Sequence, residues 1–398
     1  MSTHAQPVGG PLLTRSYHVL LALVGLMGLV VAWRAVAGLG ATTALSDGYP
    51  WGLWIAFDVV TGTALACGGY AVALLVYILN QGRYHPLVRP ALLTSALGYS
   101  MAGFSVVVDV GRPWLAWKLP IQFWNWNLNS ILLEVALCIM AYTVVLWIEL
   151  SPAFLEKGKE SSWPRVRRFA ERASPRMEKA LLWFVALGML LPTMHQSSLG
   201  SMMLLSGPRL HPLWNTPWLP LLFLMSCLAM GYAAVIFEST LSSHFFRRPR
   251  ETRMLAALSG VMFWVVLAFG VFRVGERALG GALGHVATLD KYAWFFLAEM
   301  ALVAAPLFLL ASRARRADPR RLFQAALLLM LGGGLYRFDT YLVAFNPGDH
   351  WSYFPAVPEL LFTLGIVAFE IAVYIALVRK FPILRGQAPA RVRAAAAA

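Results

Sequence analysis

Charge is what this 398-residue chain has least of: only 13% of it is Asp, Glu, Lys or Arg, about half the share of a soluble globular domain. So few charges cannot clothe a water-facing surface of that size, which excludes a soluble globule. Cysteine is scarce as well. Cys67, Cys138 and Cys227 each stand inside an apolar run, with no Cys-x-x-Cys, leaving neither a disulfide framework nor a thiolate metal site. Histidine is missing where a bilayer haem would need it. Of eight, His4, His85, His211, His244 and His350 fall in loops or at a terminus, and His18 and His285 lie near opposite faces. Only His195 is well inside a span, so no pair of axial ligands at matched depth emerges, and no haem is expected.

What the chain does have is long apolar runs: 59% of its residues are hydrophobic and its mean hydropathy is +0.64. About ten stretches can cross ~30 Å of hydrocarbon, near 17–39, 52–79, 88–110, 128–150, 179–199, 217–241, 253–275, 290–312, 321–345 and 356–380. The expectation is an all-α polytopic membrane protein. The first run is long enough to span and lacks a small-residue cleavage site, so no cleavable signal peptide is expected.

Basic residues alternate between successive loops. One side takes Arg15, Arg83, Arg89, the eight in 157–179, Arg247, Arg248, Arg250, Arg253, Arg313, Arg315, Arg316, Arg320, Arg321, Arg379, Lys380, Arg385, Arg391 and Arg393. That is 25 of the 33 lysines and arginines, which places this side and both termini in the cytoplasm. The net charge of +14 is thereby explained by topology and anionic lipid, without nucleic acid. The 156–179 loop mixes both signs and reads as a solvated amphipathic connector, not a binding patch. The Ala-rich tail from 387 reads as disordered.

The opposite face is rich in rings and prolines: Tyr49-Pro50-Trp51, Pro113-Trp114, Phe123-Trp124-Asn125-Trp126, Pro212-Leu213-Trp214, Pro217-Trp218 and His350-Trp351-Ser352-Tyr353-Phe354-Pro355. An interfacial aromatic belt accounts for most of them; an ordered docking surface for another protein, with Trp114, Trp124 and Trp126 in it, is the alternative.

An internal repeat organises the helices. Shifted by ~164 residues, Trp54 falls on Trp218, and Val108-Asp109-Val110-Gly111-Arg112 falls on Phe272-Arg273-Val274-Gly275-Glu276; Glu134 and Glu299 agree to within one residue. Four helices per copy give parallel repeats. The expected division is a tail and first helix (1–45), a first four-helix bundle carrying the site (46–205), a second bundle (206–350), and a last helix with its tail (351–398).

Charged residues inside the spans gather in the half nearest the aromatic face: Asp58, Asp109, Glu134, Arg273, Glu276, Glu299, Arg337, Asp339 and Glu359, with His195 and Gln196. Singly, each fits a helix–helix hydrogen bond or ion pair; together they imply a polar pocket open to one side. Asp109 and Arg112 end a greasy helix, where unpaired charges cost several kcal/mol, so they are expected to pair or to line that pocket; Gly111-Arg112-Pro113 stops the helix. In Leu191-Pro192-Thr193-Met194-His195-Gln196-Ser197-Ser198, the proline frees a carbonyl, and a histidine, an amide and two hydroxyls follow. Those groups can hydrogen-bond a quinone oxygen and exchange its proton. Nearer the basic face, Glu238, Glu149 and Glu370 are candidates for a proton path, although a solvated helix end suits Glu149 better.

Pro50-Trp51-Gly52-Leu53-Trp54-Ile55-Ala56-Phe57-Asp58, Asp109-Val110-Gly111-Arg112-Pro113, His195-Gln196-Ser197-Ser198-Leu199-Gly200 and Tyr336-Arg337-Phe338-Asp339 resemble the NrfD-like family of polysulfide reductase membrane subunits. Tyr353-Phe354-Pro355-Ala356-Val357-Pro358-Glu359 and Lys380-Phe381-Pro382 are similar to its hydrogenase-2 branch, named "cytochrome b subunit". The resemblance implies a haem-free, quinone-reactive subunit. It would anchor a periplasmic ferredoxin-like iron–sulfur subunit and the small and large subunits of a nickel–iron hydrogenase, whose clusters and nickel–iron centre lie outside this chain. Electrons would reach menaquinone among helices 2–5, with Asp58, His195, Gln196, Trp51 and Arg112 around it. Asp58, Asp109, Glu134, Glu238, Glu299 and Glu370 would carry protons. Relatives with Asn or Tyr in place of Asp58 or Asp339 leave proton stoichiometry open. A molybdopterin oxidoreductase partner, or a secondary transporter, are the competing expectations.

Overall fold

The computed structural model describes residues 5–384; His4, Arg385, Arg391, Arg393 and the tail from 387 lie outside the described residues. Ten helices follow one another: α1 (Arg15–Ala37), α2 (Trp54–Ile78), α3 (Gly82–Asp109), α4 (Ile131–Lys159), α5 (Pro164–Leu204), α6 (Leu219–Phe245), α7 (Thr252–Leu279), α8 (Lys291–Leu309), α9 (Pro319–Phe338) and α10 (Val357–Lys380). Among the described residues, all but α9 are long and apolar enough to cross a membrane. α9 is the tenth expected segment. Arg320, Arg321, Arg337 and three glycines lower its hydropathy; Arg320 and Arg321 are exposed at its start, while Arg337 is buried where α9 packs among α6, α8 and α2.

The starts are set by local chemistry. Thr14, Ser130, Asp290 and Asp318 each accept a hydrogen bond from a first-turn backbone N–H, and Pro164 and Pro319 occupy first-turn positions where no donor is needed. The 157–179 stretch, expected as a connector, is helical on both sides of a short break: α4 runs on to Lys159 and α5 already begins at Pro164. α5 is therefore 41 residues long, about 60 Å.

The helices pack in two rings, α2–α3–α4–α5 and α6–α7–α8–α9, joined where α2 and α5 meet α6 and where α2 meets α9; α1 and α10 pair on the outside, against α2 and α3. α2 and α6 are the most enclosed, with 83% and 72% of their apolar windows buried. Gly231 makes their approach possible: a Cβ there would stand 2.7 Å from the carbonyl oxygen of Cys67. The helix end around Gly111 has no counterpart at Gly275, where α7 continues to Leu279. No proline follows Gly275 to stop it.

Candidate functional site

α2 opens with an eight-residue π-helix, Trp54–Thr61, and a second π-helix, Asp339–Val343, extends α9. Such widened turns shift the carbonyl register and concentrate at functional positions. Arg337, in the last turn of α9 before the second of them, ties it to the first. Arg337, fully buried, donates from Nη1 to the carbonyl of Val60 at 2.9 Å and from Nη2 to that of Phe223 at 2.6 Å. Each π-turn carries a buried carboxylate. Asp58 accepts from the Thr363 hydroxyl through Oδ2 at 2.9 Å and leaves Oδ1 without a protein partner; Asp339 leaves both oxygens without one.

One turn below, α2 and α5 form the polar group that includes His195. His195 and Gln196 have no solvent exposure. Gln196 donates through Nε2 to Thr63 Oγ1 at 3.1 Å and to the Tyr99 hydroxyl at 3.2 Å; His195 Nε2 lies 3.4 Å from the same Thr63 oxygen. Pro192 sits in the turn before, and Thr193 meets the Tyr70 hydroxyl at 2.7 Å. Two atoms face no protein partner, His195 Nδ1 and Gln196 Oε1. A buried donor or acceptor left so costs about 1–3 kcal/mol, which is relieved when a ligand or water supplies the missing bond.

The five expected quinone residues do not converge on one point. His195 and Gln196 are together, inside the first ring. Asp58 lies on another face of α2, turned to Thr363 of α10. Trp51 is stapled by Nε1 to the Tyr341 carbonyl at 2.9 Å, its ring against Phe345. Arg112 is exposed, and no ion pair joins it to Asp109 among the described residues. The helix end at Asp109 is secured instead by Arg34 of α1, which donates to the carbonyls of Val108 at 2.8 Å and Val110 at 2.5 Å.

The expected proton carriers are dispersed. Glu134 accepts from Ser198 at 2.8 Å, tying α4 to α5. Glu299 is enclosed in the second ring between Arg273 Nε at 3.4 Å and Trp214 Nε1 at 3.0 Å. Arg273 also reaches Glu276 at 3.7 Å, and Glu276 in turn pairs with Arg277. Toward the basic end, Glu238 accepts from Tyr374, and Glu370 faces Gly98 of α3, a Cβ on which would stand 3.9 Å from its Oε1. Glu149, expected as a solvated helix end, is buried against Gly188 with Oε1 unpartnered. Glu359 is satisfied by the Ala44 and Ala356 amides and by the Tyr353 hydroxyl. Burial, and then that carboxylate, push the Tyr353 phenol upward, which keeps it a donor.

At the aromatic end, Trp114 and Trp124 are 65% and 66% exposed, with Trp117 and Phe123 beside them; Trp126 is half-buried and donates to the Leu119 carbonyl at 2.8 Å. Two histidines that the sequence left apart, His211 and His285, meet there with ring centroids 5.5 Å apart, His211 stacked on Tyr292. Burial and His285 lower the His211 pKa. Thr63, Tyr99, Thr363 and Arg34 were missed because a hydroxyl in an apolar run, or an arginine near a helix end, carries no signal by itself. Thr63 and Tyr99 stand out only once α2, α3 and α5 are in contact.

Comparison with known proteins adds the chemistry. Residues 41–344 match the family described as "Polysulphide reductase, NrfD". Over 389 residues, 96% of both chains, the sequence is 41% identical to the "Probable Ni/Fe-hydrogenase 2 b-type cytochrome subunit" of Escherichia coli K12. It is 29% identical to the "Menaquinone reductase, integral membrane subunit" of Nitratidesulfovibrio vulgaris, covering 91% of this chain and 90% of that one. A second protein of Nitratidesulfovibrio vulgaris is 33% identical, over 92% of this chain and 94% of its own length.

Proposed function

We propose, for a chain that belongs to the NrfD polysulphide reductase family, that it is the quinone-reactive membrane subunit of a periplasm-facing nickel–iron hydrogenase and passes electrons to menaquinone. The observation that carries this is the buried pair His195 and Gln196, each with one polar atom free, in a chain alike end to end to a hydrogenase-2 subunit. Hydrogen oxidation in the partner releases two electrons and two protons; menaquinone takes up two of each to become menaquinol. The residues here bind and protonate. Thr63 Oγ1 accepts from Gln196, so its own hydrogen is free for His195 Nε2. The neutral imidazole then holds its proton on Nδ1, where it can donate to a quinone carbonyl. Gln196 Oε1 accepts from the hydroquinone O–H. Because both side chains are closed off from solvent, the quinone head displaces side chains as it enters.

Asp58, Asp109, Glu134, Glu238, Glu299 and Glu370 are assigned to proton movement, which couples to translocation if the dispersed groups are bridged by water. The two rings are the two copies of the repeat, and Trp114, Trp124 and Trp126 receive an iron–sulfur subunit linked to the small and large hydrogenase subunits. Both termini lie in the cytoplasm, across a bacterial inner membrane. The chain acts without haem, although a relative is named b-type cytochrome. His195 is enclosed by Tyr99, at 5.7 Å between ring centroids, with no second histidine ring facing it among the described residues. The His211–His285 pair is edge-on and in direct contact, which does not fit two axial ligands on either side of a porphyrin.

Purifying the complex in mild detergent tests this. Hydrogenase subunits, bound menaquinone, hydrogen-dependent quinone reduction and no haem absorbance are expected. A molybdopterin enzyme in place of the hydrogenase, or substrate flux into vesicles without quinone, overturns the assignment.

A further inference from the structure

The mixed-sign segment between α4 and the membrane is not mixed once it is helical. At about 100° per residue, Arg165, Arg168, Arg172, Arg176 and Lys179 share one face of α5, while Glu171 and Glu178 lie about a third of a turn away. Ala170 and Ser174, buried toward α4, occupy roughly the opposite side. None of the four arginines is in an ion pair among the described residues; Arg168 and Arg176 reach only carbonyls of their own helix. The acids at the end of α4 are engaged elsewhere: Glu156 holds Arg89, with Nη1 at 2.8 Å from Oε2, and Glu160 holds Lys157 at 2.8 Å. The arginines line a recess of about 620 Å³ together with Phe169, Ala173, Met177 and Ala180.

The same face continues without a break into the bilayer. Trp183, Leu187, Leu190 and Met194 follow at helical spacing, 74%, 41%, 53% and 38% exposed, and an exposed apolar stripe on a spanning helix is a lipid-facing one. The level of the arginines is fixed by the neighbouring helices. Gly158 of α4 packs on Ala170, and Glu156, half a turn earlier, pins Arg89, which follows the short 3-10 opening of α3 where its regular α-helix begins. Arg172 and Arg176 are therefore at the height where α3 enters the membrane. We propose that this face of α5 is a binding site for an anionic phospholipid of the adjacent leaflet. Its phosphate lies against Arg172 and Arg176, with Arg168 and Arg165 one and two turns above, and its acyl chains lie along Trp183, Leu187 and Leu190. Guanidinium groups match phosphate oxygens in a paired, planar fashion that a simple topology signal does not require.

The test uses the full chain in detergent, exchanged into phosphatidylglycerol or phosphatidylcholine, with retained lipid counted by native mass spectrometry. Phosphatidylglycerol should be retained in preference. R172Q/R176Q should weaken that retention about tenfold, and E171Q/E178Q should leave it unchanged. Millimolar inorganic phosphate should not displace the lipid, because phosphate lacks the acyl contacts. In the unmodified protein, raising the salt concentration should release phosphatidylglycerol but not phosphatidylcholine, a result independent of whether any variant assembles. Equal retention of the two lipids, equal loss in E171Q/E178Q, displacement by phosphate alone, or indifference to salt would each overturn the proposal.

Discussion

Gln196 and Thr63 meet at 3.1 Å, amide nitrogen to hydroxyl oxygen, in a part of the first ring closed to solvent. That hydroxyl serves two neighbours, since His195 Nε2 lies 3.4 Å from it. Removing it should disorient both. Thr63→Val, nearly the same shape, should lower hydrogen-to-quinone activity about tenfold or more, the order expected for losing one or two buried hydrogen bonds at ~1–1.5 kcal/mol each. Thr63→Ser should retain most of it, and reduction of a soluble dye by the assembled complex should not change in either.

Arg34 and Arg112 make opposite predictions despite their similar appearance in the sequence. Arg34 is 5% exposed and donates to two carbonyls at the end of α3. Arg34→Leu should destabilise by about 2–3 kcal/mol through the acceptors it abandons, read as earlier thermal inactivation and easier proteolysis after Asp109. Arg112→Ala should leave both measurements within error.

Arg273 and Glu299 form a buried pair with no exposure on either side chain. Arg273→Met alone should cost about 3–5 kcal/mol by leaving a charge uncompensated. The double replacement, R273M with E299Q, should be milder than the arginine change alone, seen in thermal inactivation midpoints. A double variant worse than R273M would mean that Glu299 is held by something other than this arginine.

The outer face should lose stability in acid, for a reason with a defined sign. The His211 pKa is lowered by burial and by His285, with Asp290 opposing. A group with a depressed folded pKa contributes stability that is complete above its ordinary value, ~6.5, and lost as pH falls through the folded one. The thermal midpoint of the protein should therefore drop below about pH 6.5, and His211→Gln should flatten that drop. An unchanged slope in the variant would assign the acid sensitivity to another group.

The architecture was legible because length and apolarity are properties of a segment by itself. All ten helices lie where the hydrophobic runs stand, and the helices that hold His195 and Asp58 were placed correctly. Register between helices was not legible. That Asp58 turns to Thr363 while His195 turns to Thr63 depends on the π-turn from Trp54 to Thr61, which rotates successive side chains away from regular helical spacing. Asp109 and Arg112 invited pairing by nearness in the chain, yet Pro113 and the turn before it carry Arg112 out to solvent, leaving the helix end to an arginine 74 residues earlier. The sign-mixed stretch before Lys179 hid its order for a related reason: segregation onto faces exists only when the segment is a helix.

The most direct single measurement is the ratio of hydrogen-to-menaquinone to hydrogen-to-dye activity in the intact complex carrying His195→Ala. The expected result is loss of quinone reduction by a hundredfold or more, on the order of ~3 kcal/mol, with dye reduction and the full set of partner proteins retained. Quinone reduction at the unmodified rate in a fully assembled complex would contradict a quinone site at His195 and Gln196.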